Sequence, residues 1–285
     1  MSDIPAESAV STYTASSGDN LAMQDWALPD DQPPRAKVLL VHGLGEHVGR
    51  YDRVARRLND WGFAVRGYDH YGHGDSDGGR GALSHPSRLV DDLADLVEWS
   101  RRRIGPALPL VLFGHSLGGL VAASAVARGR VQVDALVLSS PALATHLSPV
   151  QKLLLAVVPA IAPNLAVGNG LDANFLSHDP AVVAAYRADP RVHDRISGRL
   201  GRFIADEGPH VVRQAAVWSV PTLLLYAGAD RLVDPAGSRA FAAAAPPSVV
   251  SAHCLDGLYH EILNEDAARA APVFERLRQW LDARF

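Results

Sequence analysis

Residues 110–120, reading Leu-Val-Leu-Phe-Gly-His-Ser-Leu-Gly-Gly-Leu, limit what this chain can fold into more than any other stretch. The segment starts as an apolar strand, turns sharply through Gly114-His115-Ser116-Leu117-Gly118 and continues as a helix that opens on small residues, the pattern of a nucleophile elbow. A strand that reverses into a helix within so few residues holds its middle residue in a strained conformation, and flanking side chains collide unless they are small. Glycine at 114 and 118 removes those collisions. Ser116 is then presented at the carboxyl edge of a sheet, on a helix N-terminus whose free N–H groups favour developing negative charge. It is a candidate nucleophile. The same letters also suit an ordinary strand-turn-helix whose serine caps the helix. The distinction rests on whether the rest of the chain supplies a base, an acid and an oxyanion hole.

The chain has the material for such an enzyme. Its 285 residues, 48% of them hydrophobic, suffice for one large α/β domain or two smaller ones with a substantial core. The formal charge of −4 is small and both signs are scattered, so no basic stripe marks a nucleic-acid partner. The single cysteine, Cys254, excludes an intramolecular disulfide and, lying in an apolar run, is expected in the core. Residues 1–7 carry neither a basic start nor an apolar signal core, and no apolar run reaches the length of a membrane span. The expectation is a soluble protein of the cytoplasm.

Short apolar runs alternate with helical patterns along most of the sequence. Residues 12–15 and 21–26 flank the turn-forming Ser17-Gly18-Asp19-Asn20 and predict a β-hairpin. Strands are expected over 38–41 and 63–68, with a helix over 51–61 between them. Residues 87–103 place Leu89, Val90, Leu93, Leu96 and Val97 on one side of an amphipathic helix. The elbow follows, then a strand over 135–138. From Pro141 to about Trp218 the alternation stops: this part has no convincing strand, several prolines, an apolar stretch over 150–167 and a helical pattern around 181–186. Alternation resumes with a strand over 222–226, a helix over 235–245, a strand over 249–255 and a closing helix over 267–281. The pattern implies an α/β fold with a mostly parallel central sheet flanked by helices. Residues 1–140 and 219–285 would build its core, and 141–218 a helical cap insertion.

In an open α/β sheet the reactive groups gather beyond the carboxyl ends of the strands. The strand over 222–226 runs into Ala227-Gly228-Ala229-Asp230, which puts Asp230 on that edge. Its neighbour Asp234 directly precedes Pro235 and a helix, the position of an N-cap followed by proline at the first helical residue. Asp230 is therefore assigned to chemistry and Asp234 to capping. After the last strand, Asp256-Gly257-Leu258-Tyr259-His260-Glu261 forms another loop on the same edge. His260 serves as general base if its imidazole reaches Ser116 while a carboxylate holds its other nitrogen, and Asp230 is available. The chain order Ser116, Asp230, His260 is the one expected when later strands serve an elbow serine. The oxyanion hole needs two backbone N–H groups: Leu117 follows the nucleophile, and Leu44 lies in the loop after the strand over 38–41. Both contacts are main-chain, so leucine is acceptable at each.

With these residues in place, the sequence resembles the monoacylglycerol lipase and lysophospholipase branch of the α/β-hydrolases. The resemblance is carried by His42-Gly43-Leu44-Gly45-Glu46-His47 with Gly49-Arg50-Tyr51, by Asp69-His70-Tyr71-Gly72-His73-Gly74-Asp75-Ser76, by Gly114-His115-Ser116-Leu117-Gly118-Gly119, and by His260-Glu261-Ile262-Leu263-Asn264-Glu265. These stretches span nearly the whole chain. The resemblance implies a Ser116, Asp230, His260 triad, a helical cap over the site, and hydrolysis of a small lipid ester bearing one acyl chain, most readily a monoacylglycerol. No cofactor is called for. A general carboxylesterase or a lysophospholipase is the alternative among enzymes, and a non-catalytic ligand-binding homologue the alternative outside them. Tyr71 departs from the pattern, since arginine is common there. The cap matches least, and the cap sets substrate choice. Its stretch 153–158, which includes Leu154 and Val158, either packs as the core of a cap helix or lines an acyl-chain tunnel, with part of it open to transient contact with lipid aggregates. The protein would then be peripheral to membranes.

Two further readings follow from other motifs. Gly43-Leu44-Gly45 after a strand, with Asp69 ending the next strand, imitates a dinucleotide fingerprint, but Val48 occupies the place of the third small residue. His70, His73, Asp75 and Asp77 share one loop and suggest a metal site. Their spacing fits no zinc pattern, and the glycines between them favour a tight turn whose polar side chains bond the backbone.

Overall fold

The computed structural model describes residues 8–146, 157 and 161–285. Its centre is β5 (Leu110–His115), which the elbow joins to α3 (Leu117–Ala127). On one side of β5 lie β3 (Ala36–Val41), β4 (Phe63–Tyr68) and the hairpin of β2 (Asn20–Trp26) and β1 (Ala9–Thr14). On the other lie β6 (Ala135–Ser139), then β9 (Thr222–Ala227) and β10 (Val250–Leu255) at the edge. The order is β1-β2-β4-β3-β5-β6-β9-β10, and every pairing from β4 to β10 is parallel. Within this sheet only the β1 and β2 pairings are antiparallel.

Alternation along the strands fills two apolar layers. Val38 and Leu40 of β3, with Val111 and Phe113 of β5, pack with α1 (Asp52–Asp60) and the closing α7 (Ala267–Asp282). Leu39, Val41, Leu110 and Leu112 face the opposite layer, under α2 (Arg88–Ile104), α3 and α6 (Pro235–Ala244). Both faces are covered, which is why these strands read as unbroken apolar runs. Tyr71, where the resemblance favours arginine, lies beneath the buried Arg88 guanidinium, 4.1 Å from its ring centroid.

Between β6 and β9 the chain leaves the sheet. The helix expected around 181–186 is present as α4 (Pro180–Ala188), and a longer one that the sequence pattern does not mark follows as α5 (Gly198–Gln214). The expectation of no strand is corrected: β7 (Ala166–Gly168) pairs antiparallel with β8 (Arg195–Ser197). Three residues are too few to display a period-two pattern. Glu207 of α5 fixes this excursion to α3, accepting from Ser124 Oγ at 2.7 Å and from Arg128 at 2.9 and 2.6 Å. The stretch 153–158 lies outside the described residues except Val157, which is exposed. Cys254 is a second correction. It is exposed and donates to Asp256 Oδ1 at 3.3 Å, because β10 is an edge strand whose alternate side chains meet solvent.

The first turn of α3 presses on β3. A Cβ on Gly118 would stand 2.1 Å from the Val41 carbonyl oxygen, so the helix seats only if residue 118 is glycine. Gly118→Ala is expected to lower stability by about 1–3 kcal/mol through overpacking, measured as the urea unfolding midpoint at unchanged slope.

Candidate active site

Ser116 has φ 53 and ψ −120, a backbone conformation rare for a residue with a side chain. It stands at the N-cap of α3, yet its hydroxyl caps no helix N–H. The simple capping role open to it from sequence is therefore not the one it fills. The hydroxyl makes no hydrogen bond among the described residues and lines a cavity of about 750 Å³.

His260 and Leu44 line the same cavity, and Leu117 joins them. Asp230 stands behind His260, almost fully buried. His260 Nδ1 lies 2.7 Å from Asp230 Oδ2, and since the carboxylate only accepts, Nδ1 carries the proton and Nε2 is left as the basic nitrogen. The other oxygen, Oδ1, accepts from Leu232 N at 2.9 Å and Val233 N at 3.0 Å. Burial opposes charge on both partners, but their mutual attraction prevails. The His260 pKa is raised above 6.5, with Asp230 the main raising influence and Glu261 and Glu46 adding to it. The Asp230 carboxyl is held below its usual range. Asp234 has the separate role expected of it, accepting from Ala236 N at 2.8 Å ahead of Pro235.

The Leu44 loop is brought against Ser116. A Cβ on Gly43 would stand 2.8 Å from Glu46 Oε1 and 3.2 Å from the Cβ of Ser116, so a side chain there would displace one of the two. Among the described residues the Leu44 and Leu117 amides have no hydrogen-bond acceptor, and both residues border the cavity. Glu46 sets the loop's shape, its Oε1 accepting from Gly43 N at 2.6 Å and Tyr51 Oη at 2.7 Å. Arg50 joins Glu46 Oε2 to Glu261, meeting the latter in bidentate fashion at 2.7 and 2.9 Å. The loop carrying Leu44 and the loop carrying His260 thus share one buried guanidinium. Burial alone would raise the Glu261 carboxyl, but Arg50 reverses this and brings it to about 2. The motif containing Glu46, Arg50 and Glu261 is visible in the sequence; their contact across 211 positions is not.

His115, inside the elbow motif, also enters the site. Its ring centroid is 4.8 Å from that of His260, and Nδ1 is 3.1 Å from Ser139 Oγ. Burial, then the neighbouring His260, lowers its pKa to about 4, so this ring beside His260 stays neutral. His42, His70 and His73 serve the loops. His42 accepts from His70 N at 2.9 Å and donates to Gly43 O at 2.8 Å. Asp69 accepts from Val48 N at 2.8 Å and Asp75 N at 2.9 Å, and Asp77 accepts from Asn20 N at 2.7 Å. His73 Nδ1 is 3.1 Å from Tyr71 O. His70, His73, Asp75 and Asp77 thus form no shared ligand set among the described residues.

Comparison with known proteins places this geometry in a family. Residues 32–267 match the family described as serine aminopeptidase, S33. The sequence is 37% identical over 254 residues to the monoacylglycerol lipase of Mycolicibacterium smegmatis, covering 88% of this chain and 89% of that one. It is 32% identical over 259 residues to the monoglyceride lipase of Homo sapiens, covering 88% and 84%. The crystal structure of Paleococcus ferrophilus monoacylglycerol lipase superposes with a TM-score of 0.83 at 34% identity, over 93% of this chain and 99% of that one. The chain belongs to the serine aminopeptidase S33 family, and among the α/β-hydrolases it is monoacylglycerol-lipase-like.

Arg50→Met leaves Glu46 and Glu261 buried without their cation, and a loss of about 3–5 kcal/mol is expected, read from urea unfolding at neutral pH. Because the Glu261 pKa is depressed from 4.5 to about 2, its contribution is present above 4.5 and lost as pH falls toward 2. Across that interval the stability of wild type should fall more steeply than that of Glu261→Gln, measured by unfolding at a series of pH values.

Proposed function

We propose that Ser116, His260 and Asp230 act as a catalytic triad, with the Leu44 and Leu117 amides as the oxyanion hole. The observation that carries this reading is the buried 2.7 Å hydrogen bond between Asp230 and His260, on the wall of the cavity that Ser116 lines. His260 Nε2 takes the Ser116 proton as Oγ attacks an ester carbonyl, and Asp230 holds the imidazole in the required tautomer and stabilises the imidazolium. The oxyanion forms against the two free amides. The leaving alcohol takes the proton from His260, and water activated by the same nitrogen then releases the acid.

The protein is a carboxylic ester hydrolase, and monoacylglycerols are its substrate class. The names of its relatives support this, as does the apolar character of the cavity beyond the site, where Leu165, Val167, Leu171 and Ile204 contribute. Residues 141–218 act as the cap over that cavity. Ile161, Leu165, Val167 and Leu171 are exposed apolar residues of the cap, Ile161 to 79%, and form the part that touches lipid aggregates. No helix among the described residues is long and apolar enough to cross a membrane. The reading is a cytoplasmic enzyme that works at the lipid surface without spanning it.

A hydrolysis profile over monoacylglycerols, lysophospholipids, triacylglycerols and aryl esters tests the assignment. Monoacylglycerols of long chain are expected to be preferred, and Ser116→Ala to lose at least about 10³-fold in kcat. A preference for short aryl esters would leave a carboxylesterase; turnover unchanged in Ser116→Ala would remove the triad. As His260 must be neutral to act and its pKa is raised, the acid limb of kcat/KM is expected above pH 6.5. Leu165→Asn with Leu171→Asn should lower kcat/KM on long-chain esters more than on short-chain ones and weaken co-sedimentation with phospholipid vesicles; equal loss on both chain lengths would refute the acyl-path role.

A further inference from the structure

The loop that carries His260 is supported from outside the sheet. The amides of Tyr259, His260 and Glu261 donate in turn to Glu265 Oε1 at 3.0 Å, Phe175 O at 3.4 Å and Leu176 O at 2.8 Å. The last two acceptors belong to the excursion between β6 and β9, and Glu265 is tied to the next two residues of that same segment. Its carboxylate, wholly buried, accepts from Ser177 Oγ at 3.0 Å, from His178 N at 2.8 Å and lies 2.7 Å from His178 Nδ1. The His178 ring stacks on Tyr259 at 3.7 Å. A carboxylate withdrawn from water needs donors for its lone pairs, and here those donors come from two segments distant in sequence. None of Ser177, His178, Tyr259 and Glu265 lines the cavity, so the cluster does not touch substrate.

We infer that Glu265 is a positioning residue for His260, through which Ser177 and His178 of the cap set where the imidazole stands relative to Ser116. The inference rests on the reading of His260 as general base. The physical link is the peptide unit between Tyr259 and His260. Its N-terminal side is pinned by Glu265 and its C-terminal side by Phe175 and Leu176, so the direction of the His260 Cα–Cβ bond follows the position of the cap segment. A displacement of about 1 Å in a reacting group costs about 10²-fold in rate. The loop therefore needs an anchor stiffer than a surface turn.

The test uses the full chain. Glu265→Gln replaces an acceptor oxygen by an amide nitrogen facing donors, and kcat is expected to fall about 10-fold to 100-fold, equally for nitrophenyl butyrate and a long-chain monoacylglycerol, with KM within about 2-fold. The downfield proton resonance of the His260–Asp230 hydrogen bond, assigned by its loss in His260→Ala, should shift or broaden. Ser177→Ala should show a smaller loss of the same kind, and Ser177→Thr should restore the rate. If Glu265→Gln does not fold, Ser177→Ala with His178→Phe decides the matter. A folded variant with wild-type kcat and resonance overturns the proposal, as does a loss of kcat with an unmoved resonance or a loss expressed only in KM. Turnover retained in Ser116→Ala would instead overturn the triad reading, so the two failures are distinct.

Discussion

Three backbone hydrogen bonds hold Ser116 in its left-handed conformation: its N–H donates to Ser139 O, and its carbonyl accepts from Leu120 N and Ala142 N, each at 3.0 Å. The conformation itself costs about 1–3 kcal/mol, so the surroundings must over-determine it. They do so because β5 and β6 end side by side, and the chain leaving β6 supplies both Ser139 and Ala142. Ser140, between them, is the other non-glycine residue with positive φ among the described residues, and its N–H donates to Leu225 O of β9 at 2.8 Å. The strained turn is thus held by the next two strands of the sheet. Everything else in the site is arranged around the atom this turn exposes.

Electrostatics around His260 follow from which charges are buried with it. Asp230, Glu261 and Glu46 all favour the imidazolium, and Arg50 offsets the last two without contacting the ring. His115, the remaining titratable neighbour, is kept neutral. In the proposed mechanism the site therefore stabilises the charge that would form on His260 during acyl transfer. The same arrangement sets stability and activity against each other. The His260 contribution to folding is fully present below 6.5 and lost as pH rises through its raised pKa, whereas the proposed general-base role requires the neutral ring that exists above it.

Much of this was legible in the sequence, for identifiable reasons. Strands buried on both faces announce themselves as apolar runs, so β3, β4, β5, β6 and β9 fall where they are expected to within a residue or two. Asp230 and Asp234 were separable because a proline after an aspartate has a fixed structural meaning. The failures have causes as definite. Cys254 was misplaced because an apolar run does not reveal that a strand lies at the edge of its sheet. The strands β7 and β8 were missed because pairing between 166–168 and 195–197 leaves no local period. Helix α5 carries no clean signal, since Gly198, Gly201, Gly208 and Pro209 interrupt it, and its stability comes from packing against α3 and α6. The Arg50 and Glu265 clusters were out of reach because each joins segments that only the fold brings together.

The excursion between β6 and β9 has two kinds of surface, and they bear different constraints. Where it meets the loops of the core, the contacts are polar and directional: Asp189 with His47 at 2.8 Å, His193 N with Gly45 O at 2.8 Å, Ser197 N with Gly81 O at 2.9 Å, and Leu176 O with Glu261 N at 2.8 Å. Three of these bear on the loops that hold Leu44 and His260, so a shift at this seam moves groups next to Ser116. Where the excursion roofs the cavity, apolar side chains such as Leu165, Val167 and Ile204 line it beside polar ones such as Asn169 and His193. Apolar packing tolerates exchange of one side chain for another of similar volume, whereas a hydrogen-bonded seam does not. Substitutions among the apolar residues of the roof can therefore reshape the cavity without disturbing the loops that carry Leu44 and His260. That division explains why this part of the sequence resists recognition by pattern while the residues that dock it stay tied to the recognisable motifs.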